Sequence, residues 1–404
     1  MAFRYRDTLT GRPVTLGAAG RALTLYICGP TVYAPSHVGH ARTYLYFDMV
    51  RRYLADASMP VRHVMNITDV EDKIDQRARE LRMSPLALAR REERRFFQDL
   101  AHLNILPPTR APRASEFVPA MVRVARRLER TGRVQPLGEG WFYRPPRRPG
   151  HSNFSVAREL DRHIVPEREG PDGPQLDPRA FLVWRRQEPP RLSFDSPWGP
   201  GVPGWHLECY AMAGRYLGVP VDLQGGGQDL IFPHHYAQNE VALALQHRPF
   251  ARGFLHTGFV LRNGTKMSKS IGNLVDLGTA LRRFGPSPIR WYLLSAPRSD
   301  PIDWDPRAVR RAQTEFAGVL DTIHDLLAPG VGTSSSSEVG GLAASMRDDI
   351  GTDLGVERAF RRLAAWSRTV AGRAQPRLRK GERGAARRAI QRVERLTGLR
   401  LLAS

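Results

Sequence analysis

The stretch from residue 23 to residue 68 restricts the fold more than any other part of the chain. LTLYICGP (23–30) is an apolar run rich in strand formers, and it breaks at Gly29-Pro30. A loop follows, and then ARTYLYFDMVRRYL (41–54) places Leu45, Met49, Val50 and Tyr53 on one helical face. PVRHVMNIT (60–68) reads as a second strand. Strands joined through a crossover helix run parallel, so this segment predicts the repeating unit of an α/β, doubly wound parallel sheet. Sheets of this kind gather ligands at the carboxyl ends of their strands, which directs attention to whatever follows each strand.

The α/β pattern is interrupted and then resumed. From about Pro107 to Pro203, a helical stretch at Ala114 to Thr131 gives way to RPPRRPGH and EREGPDGPQLDP, dense in Pro and Gly, which we read as an insertion with irregular loops. Strand-like VPVDLQG, then GGGQD and a helical run from about His235 to Gln246, restore the pattern as the second half of the sheet. After Asp303 the character turns helical. RAVRRAQTEFAGVLDTIHDLL and GVERAFRRLAAWSRTVAGRA carry apolar residues at three- and four-residue spacing, and between them GVGTSSSSEVGG reads as a flexible connector by composition. A chain of 404 residues should form two to three domains.

No stretch approaches the roughly 20 apolar residues of a membrane span. The N-terminus has early arginines without the apolar block of a secretory leader, so the cytoplasm is the expected location. Lys and Arg outnumber Asp and Glu by 61 to 40, a net charge of +21 that points to a polyanion such as nucleic acid or, alternatively, to an arginine-rich proteome. The basic helices from Arg358 to Arg400 fit a phosphate backbone or a solvated face equally well. Two cysteines cannot frame a disulfide-built fold; acting together, they are better suited to metal.

Four motifs carry chemistry. His37-Val38-Gly39-His40 lies where the first strand gives way to a helix, whose free N–H groups attract phosphate; Gly39 admits close backbone approach. Taken alone, the same residues fit two ordinary surface histidines. Lys266-Met267-Ser268-Lys269-Ser270 is a basic loop able to neutralise a leaving pyrophosphate together with Mg²⁺, or else a plain surface loop. Gly225, Gly226 and Gly227, followed by Asp229, offer an adenosine close backbone approach and a carboxylate for its ribose, or form an empty tight turn. Cys28, Cys209 and His234 are far apart in sequence, but the strand ends converge, and two thiolates with an imidazole are good Zn²⁺ ligands.

The stretches YICGPTVYAPSHVGHARTYLYFD, NITDVEDKI, LNILPPTRAPRASE, SPWGPGVPGWHLECYAM, GGGQDLIFPHH and NGTKMSKSIGN resemble the cysteinyl-tRNA synthetase family in order and spacing, over most of residues 20 to 300. The resemblance implies a Rossmann-type (HUP) sheet with an inserted connective region and a C-terminal α-helical bundle. It divides the chain into 1–106 and 204–274 (the two halves of the catalytic domain), 107–203 (the insertion), 275–318 (stem contact) and 319–404 (the bundle). It implies a monomer that activates L-cysteine with ATP and Mg²⁺ and transfers it to tRNA(Cys). His37, His40, Lys266 and Lys269 would be catalytic, and Gly39, Gly225, Gly226, Gly227, Asp229 and Lys269 would hold ATP. Gly29, Thr68 and Trp205 would line the cysteine pocket, and Cys28, Cys209 and His234 would ligate Zn²⁺. A soft metal bonding a thiolate excludes serine, which an apolar pocket alone does poorly.

Two departures stand out. Where the family places a glutamate as fourth zinc ligand this chain has Gln238, leaving Gln238, Glu240 or water for that role. The chain also ends at LTGLRLLAS, so an anticodon-reading domain is expected to be absent or reduced. Both features resemble mycothiol cysteine ligase, which joins cysteine to the amine of a glucosaminyl-inositol through the same adenylate. A non-catalytic RNA-binding paralogue is the reading from another class, and the intact HVGH and KMSKS motifs argue against it.

Overall fold

The computed structural model describes residues 2–17, 20–146, 179–189, 191–267 and 271–402. The chain opens with the hairpin β1 (Phe3–Arg6) and β2 (Pro13–Leu16), followed by β3 (Leu23–Ile27), α1 (Val38–Asp56) and β4 (Val61–Met65). Next come α2 (Asp72–Glu80), α3 (Pro85–His102) and α4 (Ala114–Glu129). Four strands follow: β5 (Val134–Leu137), β6 (Gly140–Tyr143), β7 (Phe181–Arg186) and β8 (Gly201–Pro203). The sheet resumes after α5 (His206–Tyr216), with β9 (Leu223–Gly227), α6 (Tyr236–Gln246) and β10 (Phe254–Thr257). Then β11 (Val260–Arg262), β12 (Thr265–Lys266), α7 (Leu277–Phe284), α8 (Pro286–Leu293) and β13 (Ile302–Asp303) lead to α9 (Pro306–Leu327), α10 (Ser336–Gly351), α11 (Val356–Ala371) and α12 (Arg383–Thr397).

The central sheet has the order β10-β9-β3-β4 with every pair parallel, as the strand, helix, strand pattern requires. From β3 the chain crosses to β4 on one side, and from β9 it crosses to β10 on the other. The crossovers therefore diverge between β3 and β9, which makes that pair of carboxyl ends the switch point where a ligand crevice opens. Cys28 and Gly227 lie at those ends.

Helix α1 is buried on nearly every face, because it lies between the sheet and the helical bundle. Its Asp48 side chain has no exposed surface and accepts from Arg52 Nε at 2.7 Å, from the Leu106 N–H at 2.9 Å and from Arg290 of α8. Arg290 in turn donates to the carbonyl oxygens of Thr397 (2.6 Å) and Leu103 (3.1 Å), and Arg52 to that of Arg395 (2.9 Å). A buried ionic knot thus clamps the end of α12 onto α1.

Two expectations need correcting. The insertion is not merely irregular: β5, β6, β7 and β8 form an antiparallel sheet in that order, packed with Trp184 fully buried. Most of RPPRRPGH and all of EREGPDGPQLDP lie outside the described residues. The Ser-rich connector is half helix. Ser335 caps α10 by accepting from the Ser337 N–H at 3.2 Å, and Val339, Leu342, Ala343, Met346 and Ile350 give it a buried face. Several arginines of the basic C-terminal helices are structural: Arg358 and Arg362 pair with Asp349, Arg373 with Glu338, and Arg392 with Asp56. No helix among the described residues is long and apolar enough to cross a membrane.

Candidate active site

The three separated ligand candidates meet. Cys28 immediately follows β3, and its N–H donates to Gly225 O of β9 at 3.0 Å, which fixes it at the switch point. Cys209 comes from the first turns of α5, and His234 from the turn at Ile231–His235 between β9 and α6. Their ligand atoms lie within 4.8 Å of one another, with Cys28 Sγ 3.9 Å from Cys209 Sγ and Cys209 Sγ 3.3 Å from His234 Nε2. All three residues are buried. Burial lowers the His234 pKa against the opposing pull of Cys28, so the ring is neutral, the form that binds metal. Burial raises the Cys28 thiol, but hydrogen bonding to Cys209 and the neighbouring His235 and His234 outweigh it and hold that thiol below its usual range. Cys209, pushed up by burial and by Cys28, keeps its proton.

Around this cluster lies a polar shell of which the sequence pointed only to Trp205 and Gln238. His235 Nε2 is 3.1 Å from Cys28 Sγ, and its Nδ1 is 2.7 Å from His256 Nε2. His206 Nδ1 reaches His234 Nδ1 at 3.1 Å, and Trp205 stacks flat on the His234 ring at 3.8 Å. The side-chain amide of Gln238 is buried here too. Its Nε2 is 3.9 Å from Cys28 Sγ, and its Oε1 accepts from Gln224. Glu240 falls outside the group of converging ligand atoms.

The loops after β3 and β4 are zipped together by Thr68 N–H to Pro30 O at 3.1 Å and Val32 N–H to Thr68 O at 3.2 Å. Gly29 has no room for a side chain, since a Cβ would come within 1.7 Å of the Asn66 carbonyl oxygen. Its N–H donates to Asn66 Oδ1 at 2.8 Å. Asn66 Nδ2 and Thr68 Oγ1 both donate to Glu208 Oε1, at 2.5 and 2.6 Å, and burial pushes the Glu208 carboxyl up to about 8. Neither Asn66 nor Glu208 carries a signal in a single sequence, because a polar residue in an apolar run gains meaning only when its partner is in view.

The paired histidines lie at the start of α1. His37 caps the helix, its Nδ1 accepting from the Gly39 N–H at 3.1 Å, and its ring stacks on His40 at 3.7 Å. Burial lowers both rings, His37 to about 4, so the pair stands as neutral hydrogen-bonding imidazoles. Gly225, Gly226 and Gly227 form the end of β9 instead of a turn after it. A Cβ on Gly225 would lie 2.1 Å from the Phe47 ring, so packing of α1 on the sheet already demands glycine there. Lys266 reaches Asp229 at 3.5 Å and lies 4.4 Å from the centroid of Phe259. Lys269 lies outside the described residues.

Residues 16–314 match the family of tRNA synthetases class I (C), catalytic domain. A cysteine–tRNA ligase of Thermococcus onnurineus (strain NA1) is 36% identical over 333 residues, which are 81% of this chain and 68% of that protein. Another, of Syntrophobacter fumaroxidans (strain DSM 10017 / MPOB), is 38% identical over 312 residues, 76% of this chain and 62% of that protein. The chain thus spans about two thirds of the length of these curated relatives. A methionyl-tRNA synthetase of Mycobacterium tuberculosis, solved with methionyl-adenylate, shares the fold at a TM-score of 0.67, with 18% identity, over 93% of this chain and 88% of that one.

Proposed function

The chain belongs to the cysteinyl-tRNA synthetase family of class I, and from that membership we propose that it activates L-cysteine with ATP and transfers the cysteinyl group to tRNA(Cys). The observation that carries this reading is the convergence of Cys28, Cys209 and His234 within 4.8 Å at the switch point, beside the paired histidines of α1. The donor set fits zinc: two buried sulfurs and a neutral imidazole with no carboxylate among them. Bound there, zinc supplies a soft centre that takes a thiolate in preference to serine's hydroxyl. The fourth protein donor in this scheme is Gln238, since turning over the two facing amides keeps the Gln224–Gln238 bond and brings Oε1 toward Cys28.

In the first step the cysteine carboxylate attacks the α-phosphorus of ATP; the O–P bond forms and the bond to the bridging oxygen breaks, releasing pyrophosphate. His37 and His40 donate hydrogen bonds to phosphate oxygens, Lys266 and Lys269 offset the charge gathering on the leaving group with Mg²⁺, and Asp229 accepts from the ribose. Gly29, Thr68 and Trp205 enclose the amino acid. An acceptor hydroxyl of the tRNA then attacks the adenylate carbonyl and AMP leaves.

Gln238 favours a second reading, cysteine ligation to the amine of a glucosaminyl-inositol, which shares the first step. Purified protein with ATP and labelled cysteine, offered tRNA or the amino sugar in turn, separates the two. Cysteine-dependent ATP–pyrophosphate exchange without acceptor is expected under both, and its absence would refute the shared step.

A further inference from the structure

Glu208 has no place in the chemistry above, yet it is 1% exposed and its Oε1 receives two hydrogen bonds at the wall of the pocket. The donors are settled by elimination. Gly29 N–H points at one end of the Asn66 amide, so that end is the oxygen and the nitrogen faces Glu208 and Thr68. Asn66 Nδ2 is 3.1 Å from Thr68 Oγ1 and donates to it. The Thr68 hydroxyl, with one proton and two lone pairs, must then spend its proton on Glu208. One lone pair accepts from Asn66, and the single valence left free on Thr68 is an acceptor.

We infer that Glu208 is a positioning residue that makes Thr68 a compulsory acceptor, through which the pocket reads the α-ammonium of its amino acid. This rests on the proposed cysteine pocket, and adds to it the group that tells an amino acid from any other thiol acid. Without the Glu208 acceptor the Thr68 hydroxyl is free to rotate and can donate as well as accept, and Asn66 loses the partner that aims it. The Gly29 to Thr68 wall then no longer prefers a donor. The argument needs only that Oε1 accepts, which holds whether or not the other oxygen carries a proton.

The test compares two thiols in the zinc-loaded, full-length protein: L-cysteine and 3-mercaptopropionate, which is cysteine without its amino group. In Glu208→Met, close in volume, the preference for cysteine over 3-mercaptopropionate should fall about 10-fold to 100-fold, the size of a hydrogen bond to a charged group, with ATP affinity unchanged. Glu208→Gln keeps a carbonyl oxygen at the Oε1 position and should restore the preference to within about threefold of wild type. Equal weakening of both thiols in Glu208→Met would mean a merely structural role and would overturn the inference, as would an unaltered preference, or a Glu208→Gln variant as poor as the methionine one. Failure of wild-type protein to bind cysteine at all would instead refute the cysteine site on which the inference stands.

Discussion

Consider replacing Asp48 with alanine. Among the described residues its carboxylate is the one anion paired with both Arg52 and Arg290, and those arginines are 7% and 1% exposed. Removing it leaves two buried guanidinium groups without a counter-charge and the Leu106 N–H without its acceptor. Stripping one partner from a buried ion pair costs about 3–5 kcal/mol, far above the usual surface substitution. Because Arg290 and Arg52 also hold the Thr397 and Arg395 carbonyls, loss should concentrate at the end of α12. Chemical denaturation should register the drop in stability, and hydrogen exchange should rise more in residues 383–397 than in the central strands. Adding Arg290→Met to the alanine variant should recover part of the loss, since one stranded charge is gone. The pH dependence has a defined sign. Burial alone would raise the Asp48 carboxyl, but Arg290 and Arg52 outweigh it and the group is held below its usual range. Its contribution is therefore complete above the unfolded value of about 3.9 and is lost as pH falls through the lower folded value. The alanine variant should lack that acid limb. A variant within about 1 kcal/mol of wild type, with α12 exchange unchanged, would refute the role assigned to the knot.

Cys209→Ala should purify without zinc and fail to bind cysteine, while ATP affinity should hold because the proposed nucleotide contacts lie on α1 and β9; metal analysis showing full occupancy would return Cys209 to the core. Lys269→Ala should slow adenylation by about 10²-fold or more while ATP binding changes little, because the contact strengthens as pyrophosphate departs. Transfer from supplied cysteinyl adenylate should stay near wild type in single-turnover measurements, and an equal fall would make the loop an acceptor clamp. Gly225→Ala forces a methyl to 2.1 Å from the buried Phe47 ring and should lower stability by about 1–3 kcal/mol in thermal unfolding, with Phe47→Leu in the same chain recovering part of it; an undiminished melting temperature would show that α1 moves freely on the sheet.

The β3–α1–β4 unit was legible because its order is local: apolar runs, a helical face and a glycine break all fall within a few dozen residues. The insertion sheet was not. β5 and β6 are four residues each, one of them holds Pro136, and their partner β7 begins only at Phe181, so the pairing leaves no local period. In α10, serines at the start looked like a linker, whereas one of them is a cap and the apolar residues that follow make the helix. The convergence of Cys28, Cys209 and His234 was reachable through their flanking motifs. His206, His235, His256, Asn66 and Glu208 were not, since each is defined by a buried partner from a distant strand or helix.

The switch point is assembled from strands and helices far apart in the chain, and this has a consequence for synthesis. Cys28 leaves the ribosome 181 residues before Cys209, and β3 must wait as long for β9, the neighbour that completes its other edge. At bacterial to eukaryotic translation speeds of about 5–20 residues per second, that interval is roughly 10 to 40 s. Throughout it, a nascent chain carries an unpartnered thiol next to an open parallel edge. Only when α5 and the His234 turn have emerged can the cluster close, so Cys28 gains its buried partners late, with the edge strand β10 still to come, and an oxidant reaches its thiol more readily during synthesis than after it.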